Sequence, residues 1–175
     1  MRPLVPGCTA WRYLQQCVIV SADDKGLLTA DMRTIHRKAT VPYRPAEMYE
    51  LVNDIEAYPQ FLPWCKRARV LDRDERRIQA RLTVAKGRVE KSFTTLNMLQ
   101  EDRQVEMRLV EGPFRKLEGL WRFEPAGNGC HVSLKLAFEL SGKIMVFTLG
   151  PMFNQVANSL VDAFVQRARD VYGTR

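Results

Sequence analysis

The last thirty residues, 143–172, restrict the possible folds of this chain more than any other stretch. Leu149, Met152, Phe153, Val156, Leu160, Ala163, Phe164, Ala168 and Val171 recur at steps of three and four, one stripe of an α-helix. Asn154, Gln155, Ser159, Asp162, Gln166 and Asp170 take much of the opposite side, and Val161 and Val165 widen the stripe. A continuous helix here would be roughly 40 Å long at about 1.5 Å per residue. Ser141-Gly142 precede it and Gly173 stands where a helix stop belongs. Gly150-Pro151 interrupts the pattern, which predicts a kink or a second helix start, because proline lacks the N–H and crowds the preceding turn. A stripe this broad needs an extended apolar surface to lie on.

The chain ahead of it supplies one. Residues 33–41 read as a strand ended by Pro42, and Pro45 opens a helix carrying Met48, Leu51, Val52 and Ile55 at helical spacing. The segment 58–65, YPQFLPWC, is too broken for a long helix and too apolar for a solvated loop. Six strand patterns follow: 66–71, 78–84, 89–98, 105–109, 114–123 and 130–140, separated by Asp-, Glu- and Gly-rich turns. Short turns pair neighbouring strands antiparallel. The expected fold is α+β: a seven-stranded antiparallel sheet curled around the long C-terminal helix. Residues 32–175 form one domain. Residues 1–31, broken by Pro3, Pro6, Gly7 and Gly26, are expected to be a disordered tail or an untranslated leader, with Met32 as the functional start.

Reactive clusters are missing from the pattern. Cys8, Cys17, Cys65 and Cys130 show neither a CxxC pair nor a histidine at zinc spacing, and read as free thiols; no metal site is expected. His36 and His131 lie in strands without an acidic or nucleophilic partner at a recognisable spacing. Glu47, Glu50 and Asp54 look like the wet face of the first helix. No set of residues can be cast as acid, base and nucleophile, so a non-enzyme with no required cofactor and no catalytic residues is expected.

Two features stand out instead. Phe61, Leu62, Trp64, Phe114, Leu117, Trp121, Met145, Phe147, Leu149, Met152 and Phe153 are generous apolar material for so short a chain. They read either as plain core or as the lining of a cavity, with the proline-bracketed Phe61, Leu62 and Trp64 over its mouth and Met145 and Phe147 in a flap. The second feature is charge. The chain carries a net +7, and residues 66–91 hold ten Lys and Arg against four Asp and Glu. This is either a solvated hairpin or a footprint for an acidic partner, RNA or an anionic membrane; no DNA partner is expected.

The motifs V41-P-Y, M48-YELVND, Y58-PQFLPWC, K91-SFTT, E111-GPFRKL, G119-LW and F164-VQRA, taken in order, closely resemble the coenzyme Q-binding START-like family, within the polyketide cyclase and lipid transport superfamily. The resemblance covers about residues 32–172 and implies a helix-grip fold. It implies two jobs. Mitochondrial members bind ubiquinone without catalysing a reaction and support respiration. Bacterial members are toxins of toxin–antitoxin systems that bind the large ribosomal subunit and block subunit joining. More distant relatives are aromatic-polyketide cyclases, for which no acid/base pair is found here.

From the residues and the resemblance together, the first expectation is a polyprenyl-quinone carrier with ubiquinone as its ligand. Phe61, Leu62 and Trp64 would close the mouth, the head group would sit near Trp64, Phe114 and Lys116, and the tail would run along Leu149, Phe153 and Val156, with Leu117 also among the ligand-binding residues. The alternative is a large-subunit-binding toxin contacting rRNA, or a phospholipid surface, through Arg67, Arg69, Arg73, Arg76 and Arg77. Either reading implies a cytoplasmic protein, peripheral on the inner face of a membrane at most, or a mitochondrial one in a eukaryote.

Overall fold

A computed structural model describes residues 32–175, with side chains throughout except those of Lys86, Lys143–Met145, Thr148, Leu149 and Met152. The expectations for residues 1–31, with Cys8 and Cys17, lie outside the described residues. The elements run β1 (Arg33–Val41), α1 (Pro45–Asn53), a 3₁₀ turn (Ile55–Ala57), α2 (Tyr58–Phe61), β2 (Cys65–Arg73), β3 (Arg77–Lys86), β4 (Val89–Gln100), β5 (Gln104–Glu111), β6 (Phe114–Ala126), β7 (Gly129–Leu140) and α3 (Lys143–Tyr172). All seven strands form one antiparallel sheet in the order β1-β7-β6-β5-β4-β3-β2. β2 to β7 form a meander, and β1 returns to the free edge of β7. The sheet stays open, with β1 and β2 at its edges.

Alternation decides which face is wet. Ile78, Ala80, Leu82 and Val84 of β3 are buried, as are Cys130, Val132, Leu134, Leu136, Phe138 and Leu140 of β7. The concave face so formed receives α3, whose Phe153, Val156, Ala157, Val161, Phe164 and Ala168 are buried against it. Two aromatic groups make the contact. Phe153 meets Phe114 at 4.8 Å and Phe138 at 5.8 Å between ring centroids, while Phe164 meets Trp121 at 5.2 Å, Phe61 at 5.1 Å and Tyr58 at 5.4 Å. One turn depends on glycine for close approach: a Cβ at Gly129 would stand 1.9 Å from the Val41 carbonyl oxygen, so only glycine lets β7 start beside the end of β1.

One local expectation is corrected: of the two alternatives at Gly150-Pro151, a second helix start is not seen, since α3 is a single helix with Pro151 inside it. Pro151 and Phe147 both lie on the exposed side, so the Phe147 carbonyl, which loses its usual partner four residues on, faces solvent rather than core. Met145 and Phe147 are therefore part of this helix rather than of a separate flap. The YPQF segment forms only the four-residue α2, entered from the 3₁₀ turn, in keeping with a stretch too broken for a long helix, and the Tyr58 hydroxyl donates to the Val52 carbonyl at 2.6 Å.

Glu47 also departs from expectation. Glu50 and Asp54 are exposed, but Glu47 is only 6% exposed. Both Arg175 Nη atoms donate to its two carboxylate oxygens at 2.9 Å, and the Arg44 backbone N–H donates to Oε2 at 2.8 Å. The Tyr43 hydroxyl donates to the Gly173 carbonyl at 2.7 Å, and the Tyr172 hydroxyl to the Glu47 carbonyl at 3.3 Å. Together these bonds clasp the end of α3 to the start of α1. The Arg175 hydrogen bonds, opposed by burial, hold the Glu47 carboxyl down to about 2.

Two predictions follow from this packing. Phe164→Ala removes a ring shared by three aromatic neighbours and should cost about 3–5 kcal/mol in urea unfolding, whereas a loss below about 1 kcal/mol would contradict the packing. Because the Glu47 pKa is lower in the folded than in the unfolded chain, the clasp stabilises fully above pH ~4.5 and is lost as pH falls toward about 2. Glu47→Gln should therefore destabilise by about 1–3 kcal/mol at pH 7 and by much less at pH 2; an equal loss at both would contradict the clasp.

Candidate functional site

The first candidate is the space between the sheet and α3. Phe114, Leu117, Phe153, Val156 and Leu62 are buried there, and Phe93 joins Phe114 and Phe153 at 5.4 Å and 6.3 Å. Phe61 and Trp64 are half-buried, and Phe61 packs beside Phe164 under the Arg167 guanidinium at 5.4 Å. Lys116 does not join this group. Its ammonium lies 3.1 Å from the Glu118 carboxylate, which belongs to the outward-facing positions of β6. The Leu149 side chain is outside the described set. The expected residues are thus brought together mainly as an aromatic contact between α3 and the centre of the sheet.

A cavity among the described residues lies deeper, between Val52, Tyr58, Leu82, Asn97, Met107 and Trp121, and measures about 30 Å³. That is room for about one water molecule. Its lining has one polar oddity: Asn97, 8% exposed, has a buried Oδ1 that accepts no hydrogen bond from the protein. Thr95 lies beside it on the same face of β4. Burial pushes the Tyr58 phenol well above its ordinary range, and no carboxylate, histidine or cysteine lines the cavity. The buried Cys65 and Cys130 thiols stand elsewhere in the core, and burial raises both to about 11, which keeps them protonated and unreactive near neutrality. Among the described residues no group of His, Cys, Asp and Glu could hold a metal ion.

The second candidate is the β2–β3 hairpin, and here acidic neighbours intervene. Arg67 and Lys66 both pair with Glu90 of β4, Lys66 at 2.5 Å. Arg77 pairs with Asp74 at 2.9 Å and Asp72 at 3.7 Å, and Arg73 donates to the Asn53 carbonyl at 2.7 Å. Hydrogen bonds hold both carboxyls below their ordinary value: chiefly from Lys66 for Glu90, and first from the Arg76 backbone for Asp74. Of the five expected arginines, Arg69 and Arg76 alone keep guanidinium groups without a carboxylate or carbonyl partner among the described residues. Glu90 could have been suspected from the short β3–β4 turn, which returns the chain beside residues 84–86.

Residues 41–165 match the model of the polyketide cyclase/dehydrase and lipid transport family. The chain belongs to that family. A solved structure shares the fold: the Zhui aromatase/cyclase from Streptomyces sp. R1128 superposes with a TM-score of 0.68 at 20% identity, covering 82% of this chain and 99% of that one. Among relatives by sequence, the ribosome association toxin RatA of Pseudomonas aeruginosa is 46% identical over 140 residues, 79% of this chain and 97% of the toxin. The mitochondrial coenzyme Q-binding protein COQ10 homolog B of Xenopus laevis is 29% identical over 132 residues, 73% of this chain and 54% of that protein. No helix among the described residues is long and apolar enough to cross a membrane.

Asn97→Leu gives a direct check on the cavity. Replacing a buried acceptor that has no protein partner by an apolar group of similar shape should leave stability unchanged or raise it by up to about 1–2 kcal/mol in urea unfolding. A loss of that size would mean that the amide is satisfied in the folded protein.

Proposed function

We propose that this protein is a non-catalytic ribosome-association factor of the toxin type, which binds the large ribosomal subunit and interferes with subunit joining. The observation that carries this reading is the 46% identity to RatA of P. aeruginosa along 97% of that protein's length. Two physical features support it. Phe153 and Phe164 pack closely among aromatic neighbours of the sheet and α2, which suits a protein that binds through its surface. The chain also carries a net +7, which favours a polyanionic partner such as rRNA.

Binding of a polyprenyl quinone is the second reading, and Asn97 favours it. Its amide can accept from a hydroxyl or donate to a carbonyl, the polar groups of a quinol and a quinone. For a quinone ring to reach it, the cavity must open well beyond its present size. The relative at 29% identity named for coenzyme Q binding adds support.

Sedimentation with purified large subunits tests the first reading. The protein should pellet with them at about 50 mM salt and lose at least tenfold in affinity by about 200 mM. Failure to pellet at low salt contradicts it. Mass spectrometry of lipids extracted from the purified protein tests the second: the ribosomal reading predicts no stoichiometric quinone, and one quinone per chain, lost in Asn97→Leu, would replace it.

A further inference from the structure

The outer face of the sheet carries a feature that no single stretch of sequence contains. On β1, β7 and β6, outward positions fall into register as rows: His36 opposite Lys135; Lys38, Ser133 and Arg122; Thr40, His131 and Glu124. All of these but Lys135 border a groove of about 500 Å³. A second depression of about 420 Å³ continues from Arg122 and Lys135 toward Gln104 and Arg108 on β5. Lys38, Arg122 and Lys135 are exposed, and none has a carboxylate within 4.0 Å among the described residues. That separates them from the β2–β3 arginines, three of which are engaged by Glu90, Asp72, Asp74 or the Asn53 carbonyl. Around the track, Glu118 is taken by Lys116 at 3.1 Å and Glu106 by Arg108 at 2.6 Å, which leaves Glu124 at the rim. The Thr40 hydroxyl and His131 Nδ1 share a 2.8 Å hydrogen bond.

We propose that this outer-face track binds the phosphodiester backbone of RNA, with Lys38, Arg122 and Lys135 neutralising phosphates and Ser133 and Thr40 offering hydroxyl contacts. The choice of RNA rests on the ribosomal reading; the existence of an anion track does not. Lys38 and Arg122 are two strands apart, about 10 Å at the usual strand spacing, and the two depressions share Arg122. An elongated polyanion fits such a run better than a single ion. A membrane surface fits it less well, because none of the exposed large apolar residues (Met32, Leu71, Met98, Val110, Phe147, Val171) lines either depression. Backbone contacts of this kind position a protein without reading sequence.

The test compares the full chain with two variants: Lys38→Ala/Arg122→Ala/Lys135→Ala, and Arg69→Ala/Arg76→Ala/Arg77→Ala on the hairpin. Each is checked for unchanged urea unfolding, then titrated over a range of salt with large subunits, with protein-free rRNA from them, and with phosphatidylglycerol vesicles. The track variant should lose at least tenfold in affinity for subunits and rRNA, and its salt slope should shrink by about two to three, near 0.7–0.9 per phosphate contact removed. The hairpin variant should change less. Wild-type affinity in the track variant, or a larger loss in the hairpin variant, overturns the track while leaving the ribosomal reading intact. Track-dependent binding to naked rRNA but not to subunits keeps the track and removes the ribosomal reading. Binding to vesicles alone, or to nothing, overturns the proposal.

Discussion

Everything in this protein depends on the apolar stripe of α3 finding the concave face of the sheet. An open sheet of seven strands leaves one side unable to face water, and a thirty-residue helix leaves one stripe in the same position. Each cancels the other's exposure. Phe153 and Phe164 drive most of the contact, one among Phe93, Phe114 and Phe138 and the other among Tyr58, Phe61 and Trp121. The clasp of Arg175 and Tyr172 on Glu47, with Tyr43 on Gly173, then fixes the far end of the helix, so α3 is anchored by a charge-assisted bond as well as by burial.

That arrangement has a functional consequence. A helix-grip fold can keep a ligand chamber only where side chains fail to meet, and around Phe153 and Phe164 they meet, each ring packing against three aromatic neighbours. Of the apolar residues conspicuous in the sequence, Phe114 and Phe153 are packed against each other, and Trp121 against Phe164. The exterior carries abundant charge, and the distribution of carboxylates decides which cations remain available. On the hairpin Glu90, Asp72 and Asp74 engage Lys66, Arg67 and Arg77, whereas on the outer face Lys38, Arg122 and Lys135 have no carboxylate within 4.0 Å among the described residues.

Local patterns carried much of this architecture into view. Strict alternation, as in Ile78 to Val84 and Cys130 to Leu140, marks both the strands and the face each buries, because period two is a property of the single strand. The short acidic and glycine turns then order the meander. What the sequence hid has one physical origin: partners distant along the chain. Glu47 looks wet on its own helix and is buried because Arg175 arrives 128 residues later. Lys38, Arg122 and Lys135 look like scattered surface charge until β1 docks on β7 and aligns them. Pro151 looks like a break, yet the helix tolerates it because the carbonyl it leaves unpaired points to water. The hairpin arginines, conspicuous as a run, lose that prominence once β4 brings Glu90 beside them.

The central proposal is that this fold acts through the outside of its sheet rather than through a chamber beneath α3. The most direct measurement is the structure of the protein bound to the large ribosomal subunit by electron cryo-microscopy. The account predicts rRNA backbone against the outer face of β1, β7 and β6, with α3 turned away and its aromatic contacts unchanged. A complex in which α3 is displaced from the sheet, or in which a lipid occupies the space between Phe114 and Phe153, would contradict it.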